Sequence, residues 1–209
     1  MQKVNYGKIL DEKLAELKSS GIKPSLLLHA CCAPCSSHTL LYLYDYFDIT
    51  IYFCNPNIAP EKEYEFRKAE LKRLVSELAL NVSMIDEDYD SAPFYELAQG
   101  LENLPERGLR CQKCIAYRLR KTAELAVKIN AEYFTTTLTI SPHKDSEFIN
   151  RCGGELSAEY GVPYLFSDFK KHDGYKHSIE LSAKYNLYRQ NYCGCIYSRK
   201  QSLEVTGNA

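Results

Sequence analysis

The sequence predicts an α/β fold in which a parallel sheet carries helices on both faces. Two observations lead there. Short apolar, β-branched runs alternate with longer amphipathic stretches about five times along the chain, the pattern of repeated strand–helix units. No internal repeat or low-complexity tract interrupts that alternation, and 45% apolar with 25% charged residues is ordinary for a globular chain.

The elements follow in order. Residues 2–19 read as an amphipathic helix. Residues 25–30 (SLLLHA) form a short apolar run that predicts a buried strand. Pro34 then suits the first turn of a helix over about 35–46. Residues 49–54 (ITIYFC) predict a second strand, broken sharply by Asn55-Pro56-Asn57. A strong helix is expected over 61–78 and a shorter strand over 82–85, followed by an acidic loop at 86–90. Residues 91–110 hold a short helix and then the loop LENLPERGLR, and 111–130 read as helix. A strand over 133–138 (YFTTTL), a helix over 145–159, a last strand over 162–166 and a helix over 174–186 complete the alternation. The expected organisation is a single domain over 1–209. Within it, 91–130 forms a mainly helical, cysteine-bearing insertion and 188–209 a C-terminal segment closing on the site. In such sheets, sites form where the carboxyl ends of strands meet loops. Cys31, Asn55, Asp90, Thr139 and Asp168 all fall just after predicted strands.

Composition excludes some functions and locates others. A net charge of −1 gives no global nucleic-acid signature, so RNA binding would need a local basic patch. No apolar run approaches the roughly 20 residues of a membrane span. The polar, helix-patterned start MQKVNYGKILDEKLAEL does not resemble a secretory signal. The expected location is the cytoplasm, where structural disulfides are rare.

Nine cysteines are therefore informative. Seven fall into three groups: Cys31-Cys32-Ala33-Pro34-Cys35, Cys111-Gln112-Lys113-Cys114 and Cys193-Gly194-Cys195. Cys54 and Cys152 stand alone. Thiolates are soft ligands, so grouped cysteines in a reducing compartment select zinc or iron–sulfur clusters. Cys111 and Cys114 at the start of a helix share one face, where backbone N–H groups favour their anionic form. A structural zinc knot is the plainer alternative, but it needs four ligands and leaves three grouped thiols without a role. A disulfide across the single residue Gly194 closes a small, strained ring that is easily reduced, which suits an electron relay. The same two thiols could instead complete a metal site.

Other polar residues have plainer readings. His29, inside an apolar strand, reads as a satisfied core histidine. Asp90 and Asp168 lie on loops at the expected site edge, where a carboxylate could complete an open iron position or simply be solvated. Arg110, Lys113, Arg118, Arg120 and Lys121 form a basic stretch, and Lys170, Lys171, His172, Lys176, His177 and Arg189 a second. Either could grip phosphates or be a solvated face.

The motifs HACCAPC (29–35), NPNIAPEKEYEFR (55–67), LENLPERGLRCQKC (101–114), TTLTISPHK (136–144), SDFKK (167–171) and YRQNYCGC (188–195) together resemble the QueH family of epoxyqueuosine reductases. They span nearly the whole chain in order. The resemblance implies a Rossmann-like sheet of the adenine-nucleotide α-hydrolase-like group. It also implies the last step of queuosine synthesis: reductive removal of the epoxide oxygen of epoxyqueuosine at the wobble position of GUN-anticodon tRNA, with electrons from an external one-electron donor. It implies a 4Fe–4S cluster with an additional iron and no cobalamin. Carried over, Cys31, Cys32, Cys111 and Cys114 would hold the cluster, and Cys193 and Cys195 would be the redox-active pair. Cys35 with Asp90 or Asp168 would serve the second iron, Asp168 alternatively acting in catalysis. Two rivals remain. One is a zinc-stabilised, noncatalytic RNA-binding module. The other is an ATP-dependent tRNA-thiolating enzyme, which would need a glycine-rich pyrophosphate loop where this chain reads HACCAPC.

Overall fold

A computed structural model describes residues 4–207, with side chains through residue 203. The order is α1 (Tyr6–Ser20), β1 (Ser25–His29), α2 (Ala33–Leu43), β2 (Asp48–Phe53), α3 (Glu61–Glu77), β3 (Ser83–Asp86), α4 (Ala92–Ala98), α5 (Leu109–Lys128) and β4 (Tyr133–Thr136). A 3-10 turn (Thr137–Ile140), α6 (Ser146–Tyr160), α7 (Gly174–Lys184) and α8 (Ile196–Gly207) follow. Residues 2 and 3 of the first expected helix lie outside the described residues. α1 starts where the Asn5 side chain accepts from Lys8 N–H and stops at Gly21, whose φ of 67° suits glycine.

The four strands pair in the order β3-β2-β1-β4, all parallel. Successive side chains of β1 point to opposite faces. Leu26 and Leu28 pack with Leu40, Leu43 and Leu71 on one face, while Leu27 joins Leu119, Ala123 and Ile149 on the other. The sheet is thus buried on both sides by helices, which is why β1 reads as continuously apolar rather than alternating.

The expected strand over 162–166 is reduced to a single bridge between Phe134 and Tyr164. Pro163 has no N–H to donate, and the Leu165 carbonyl is taken by the Thr135 hydroxyl at 2.8 Å. β4 also ends earlier than expected: Thr136 Oγ1 accepts from Leu138 N–H and turns the chain into the 3-10 segment. α8 was not anticipated by the apolar pattern. No helix among the described residues is long and apolar enough to cross a membrane.

The strand order has a functional consequence. From β1 the chain winds outward through β2 and β3, then returns to place β4 on the other side of β1. The crevice beyond the carboxyl ends of β1 and β4 is the topological switch point, the place where open α/β sheets hold their ligands.

Candidate active site

Cys31 follows β1 directly into that crevice. Its N–H donates to Thr137 Oγ1 at 3.2 Å, and the same hydroxyl lies 3.4 Å from Cys31 Sγ. The turn after β4 therefore grips the loop after β1. Cys32 is the extended N-cap of α2, with φ −172° and ψ 166°, and Pro34 sits in the first turn. Cys35 is one turn into the helix, so its side chain points back toward Cys32. The sulfurs of Cys31, Cys32 and Cys35 all lie within 4.8 Å of one another, the only such group of possible metal ligands among the described residues. Cys31 and Cys32 sulfurs are 3.8 Å apart.

The trio shares one negative charge readily. Hydrogen bonds from the Cys31 and Cys35 thiols, with the Cys35 N–H and the Arg67 charge, hold Cys32 well below the ordinary thiol range despite burial. Cys35, as a donor to both neighbours, is pushed well above it. A helix N-terminus favours the thiolate further.

The other four grouped cysteines come together in a second place. Cys111, Cys114, Cys193 and Cys195 line one cavity with about 280 Å³ of empty space, part of it open to solvent. Cys111 and Cys114 lie in the first turns of α5. The segment bearing Cys193 is pinned by three contacts: its N–H donates to Ser198 Oγ at 2.9 Å, its carbonyl accepts from Arg67 at 3.3 Å, and Ala59 N–H donates to the Gly194 carbonyl at 3.0 Å. Gly194 has φ 117°, and a Cβ there would meet Arg67 Nη1 at 3.0 Å and Ile58 Cγ1 at 3.1 Å, so only glycine fits. The hydrogen bond from the Cys195 thiol, then the charges of Lys144 and Arg118, hold the Cys193 thiol well below its usual range. Cys195, the donor, is pushed far up.

Two buried guanidiniums link the thiol groups. Arg118, 2% exposed, lies one turn after Cys114; its Nη1 donates to Asn55 Oδ1 at 3.2 Å. Its charge is felt by Cys31, Cys54, Cys114 and Cys193. Arg67 reaches Cys32 electrostatically while contacting the Cys193 carbonyl. Soft thiols in close groups, backed by buried cations that offset thiolate charge, fit a metal–thiolate centre.

The carboxylates are placed elsewhere. Asp90 is exposed, and its Oδ1 accepts from Ala92 N–H at the start of α4. Asp168 pairs with Lys170 at 2.6 Å and lines a separate cavity of about 200 Å³ with Asp11 and His172. Neither lines the four-cysteine cavity. His29 is a satisfied core histidine: fully buried, 2.8 Å from Thr136 Oγ1 and 3.1 Å from the Cys54 carbonyl, with its pKa lowered to about 4 by burial and the Arg118 charge. Cys54 and Cys152 are buried apart from the three groups, burial raising them to about 12 and about 11. The basic stretch on α5 divides: Arg110 and Arg118 are buried, whereas Lys113 is exposed and Arg120 pairs with Glu159. Asn57, Arg67 and Lys144 were not singled out from sequence, although each lies inside a quoted motif.

The model of a family described as "Epoxyqueuosine reductase QueH" matches residues 26–201. A protein of that name from Streptococcus pyogenes serotype M1 is 43% identical over 95% of this chain and 80% of its own length. One from Staphylococcus epidermidis is 41% identical over 97% and 88%, and one from Thermotoga maritima 35% identical over 86% and 93%. Among solved structures, one titled a predicted subunit of tRNA methyltransferase, from Methanocaldococcus jannaschii, superposes with a TM-score of 0.50 at 12% identity, covering 73% of this chain and 72% of that one. That likeness is one of fold, and it agrees with the Rossmann-like sheet.

Proposed function

The chain belongs to the QueH family of epoxyqueuosine reductases, and from that premise we propose that it removes the epoxide oxygen of epoxyqueuosine in the wobble position of a GUN-anticodon tRNA in the cytoplasm. The observation that carries the site assignment is the gathering of seven thiols into two groups bridged by Arg67 and Arg118, the first of them at the sheet's switch point.

The reaction converts an epoxide, two electrons and two protons into an alkene and water. Cys193 and Cys195 can supply both electrons at once: a thiolate and a thiol closing to a disulfide release two electrons and one proton, and the second proton comes from solvent. Their unequal acidities suit this, because Cys193 is the ready thiolate and Cys195 keeps the proton. An external one-electron donor then restores the dithiol in two steps.

Cys31 and Cys32 from the first group and Cys111 and Cys114 from the second would together hold a 4Fe–4S cluster, and Cys35 a second iron; the closeness of Cys35 to Cys31 and Cys32 supports its inclusion. When bound, such groups supply single-electron transfer and a Lewis-acid position for the departing oxygen. To join them, Asp168 would give up its Lys170 pair and Asp90 its cap on α4. The wobble base leaves the anticodon stack to enter, which costs least in a single-stranded loop. Within the expected segment 188–209, whose residues 208–209 lie outside the described residues, Cys193 and Cys195 meet the α5 cysteines and so close on the site, and residues 91–130 act as the cysteine-bearing insertion within one domain.

The test is anaerobic incubation with a strong reductant and epoxyqueuosine-containing tRNA, followed by nucleoside mass analysis. Loss of one oxygen is expected, and Cys32→Ala should abolish both the broad iron–sulfur absorbance and turnover. Colourless protein holding one zinc and leaving the epoxide intact would instead mark an RNA-binding module.

A further inference from the structure

The cavity beside the α5 cysteines holds polar atoms that the redox chemistry leaves unused. Asn57, 1% exposed, lines it. The turn carrying Asn57 is held rigidly: Asn55 Nδ2 donates to the Ala30 carbonyl at 2.9 Å, and Ile58 N–H to the Asn55 carbonyl at 3.1 Å. Asn57 Nδ2 lies 3.9 Å from Cys193 Sγ as donor. Asn57 Oδ1 is buried with no partner. Such a group is costly unless something fills its need.

Arg110 presents the opposite polarity in the same cavity. It is 1% exposed, and its Nη1 donates to the carbonyls of Leu101, Glu102 and Leu104. Its Nε and Nη2 have no acceptor. The wall formed by Asn57 and Arg110 thus offers one unpartnered acceptor and unpartnered N–H donors side by side with the thiols. It suits hydroxyls, which donate and accept together.

The geometry points to this cavity as a diol subsite, in which Asn57 Oδ1 accepts from a ring hydroxyl of the substrate and Arg110 donates to its hydroxyl oxygens. The assignment rests on the reductase reading, since epoxyqueuosine carries two hydroxyls on the five-membered ring beside the epoxide. Asn57 is thus a positioning residue: it turns the ring so that the epoxide faces the thiols.

The experiment uses the anaerobically loaded enzyme and two anticodon stem–loops. One carries queuosine, and the other a cyclopentenylamino analogue lacking both hydroxyls. Binding is read by fluorescence anisotropy, with iron and sulfide measured on each preparation. Wild type should bind the hydroxylated RNA about tenfold more tightly, the worth of a good hydrogen bond to a buried group. Asn57→Ala should lose most of that preference, Arg110 keeping the remainder, with iron and sulfide unchanged. Asn57→Asp, which keeps the acceptor, should retain the preference, and it stands in if the Ala variant fails to fold. An undiminished preference in Asn57→Ala, no preference in wild type, no preference in a folded Asn57→Asp, or iron lost on Asn57→Ala would each overturn the subsite. Turnover of epoxyqueuosine RNA by the same wild-type preparation separates the two levels: its absence defeats the reductase reading, whereas turnover without hydroxyl preference defeats only the role of Asn57.

Discussion

Replacing Lys144 by Met removes an ammonium from beside Cys193 while keeping much of the side chain's length. The two groups report the same interaction: Lys144 is raised chiefly by Cys193, and Cys193 is lowered, after its Cys195 hydrogen bond, by Lys144 and then Arg118. A unit charge pair at about 4 Å in an effective dielectric of about 20 is worth about 4 kcal/mol. Lys144 is only half-buried, and Arg118 and Cys195 remain in the variant, so the share lost is about 1.5–3 kcal/mol and the Cys193 thiol moves up. Each ~1.4 kcal/mol cuts the thiolate fraction about tenfold below the pKa but raises intrinsic nucleophilicity about threefold. Alkylation of Cys193 should therefore slow about threefold to tenfold at low pH, and quicken once both forms are fully ionised. The assay is an iodoacetamide pulse on reduced, metal-free protein across the pH range, with fragment mass spectrometry assigning the label to Cys193. Crossing rate profiles are expected. Superimposed profiles, or a shift toward lower pH, would refute the electrostatic account of this thiol.

Three further outcomes follow from the packing. A Cβ on Gly153 would lie 2.4–2.6 Å from ring atoms of the buried Tyr164, so Gly153→Ala should cost about 1–3 kcal/mol and lower Tm by about 2–4 °C for each of them; an unchanged melt contradicts this. His29 has a folded pKa of about 4 against 6.5 for the free side chain, so the unfolded state binds the extra proton first. Stability should be fully present above pH 6.5 and fall toward pH 4 by up to about 3 kcal/mol, and denaturant titrations of His29→Gln should lack that part of the decline. Cys152, buried in the α5–α6 face and pushed up to about 11, should be replaceable by Ala with iron content and turnover intact; loss of iron would make it a ligand.

Much of the fold is legible because its signals are local. The run at 25–30 is apolar on both faces, Pro34 opens the next helix, and Asn55-Pro56-Asn57 ends β2, so Cys31 could be put at a strand mouth from spacing alone. The strand over 162–166 misleads for a physical reason: its composition is β-prone, but Pro163 and the Thr135 hydroxyl remove the backbone groups a ladder needs. The cysteine grouping was legible as a count but not as a geometry. Adjacent numbering says nothing about Cys111 and Cys114 facing Cys193 and Cys195 rather than another helix, because that depends on the path of residues 188–195 past Arg67.

The cations were the least legible part, and they carry the strongest electrostatic argument. Arg110 and Arg118 sit in a stretch that looks like a solvated basic face, yet both are buried. Arg67 has a carboxylate partner, Glu63 at 2.7 Å, so part of its charge is already offset. Arg118 has none among the described residues: its hydrogen-bond partners are the neutral Asn55 amide and the Cys114 carbonyl. A guanidinium withdrawn from water and met only by neutral groups is strongly destabilising. The groups close enough to offset it are thiols, those of Cys114, Cys193, Cys31 and Cys54. Burial also favours the neutral forms of Cys54, at about 12, and Cys114, and Cys31 is raised as a donor to Cys32, which leaves Cys193 as the thiolate that faces Arg118. The fold thus builds a positive interior in which Cys193 answers Arg118 and Cys32 answers Arg67, one thiolate in each cysteine group.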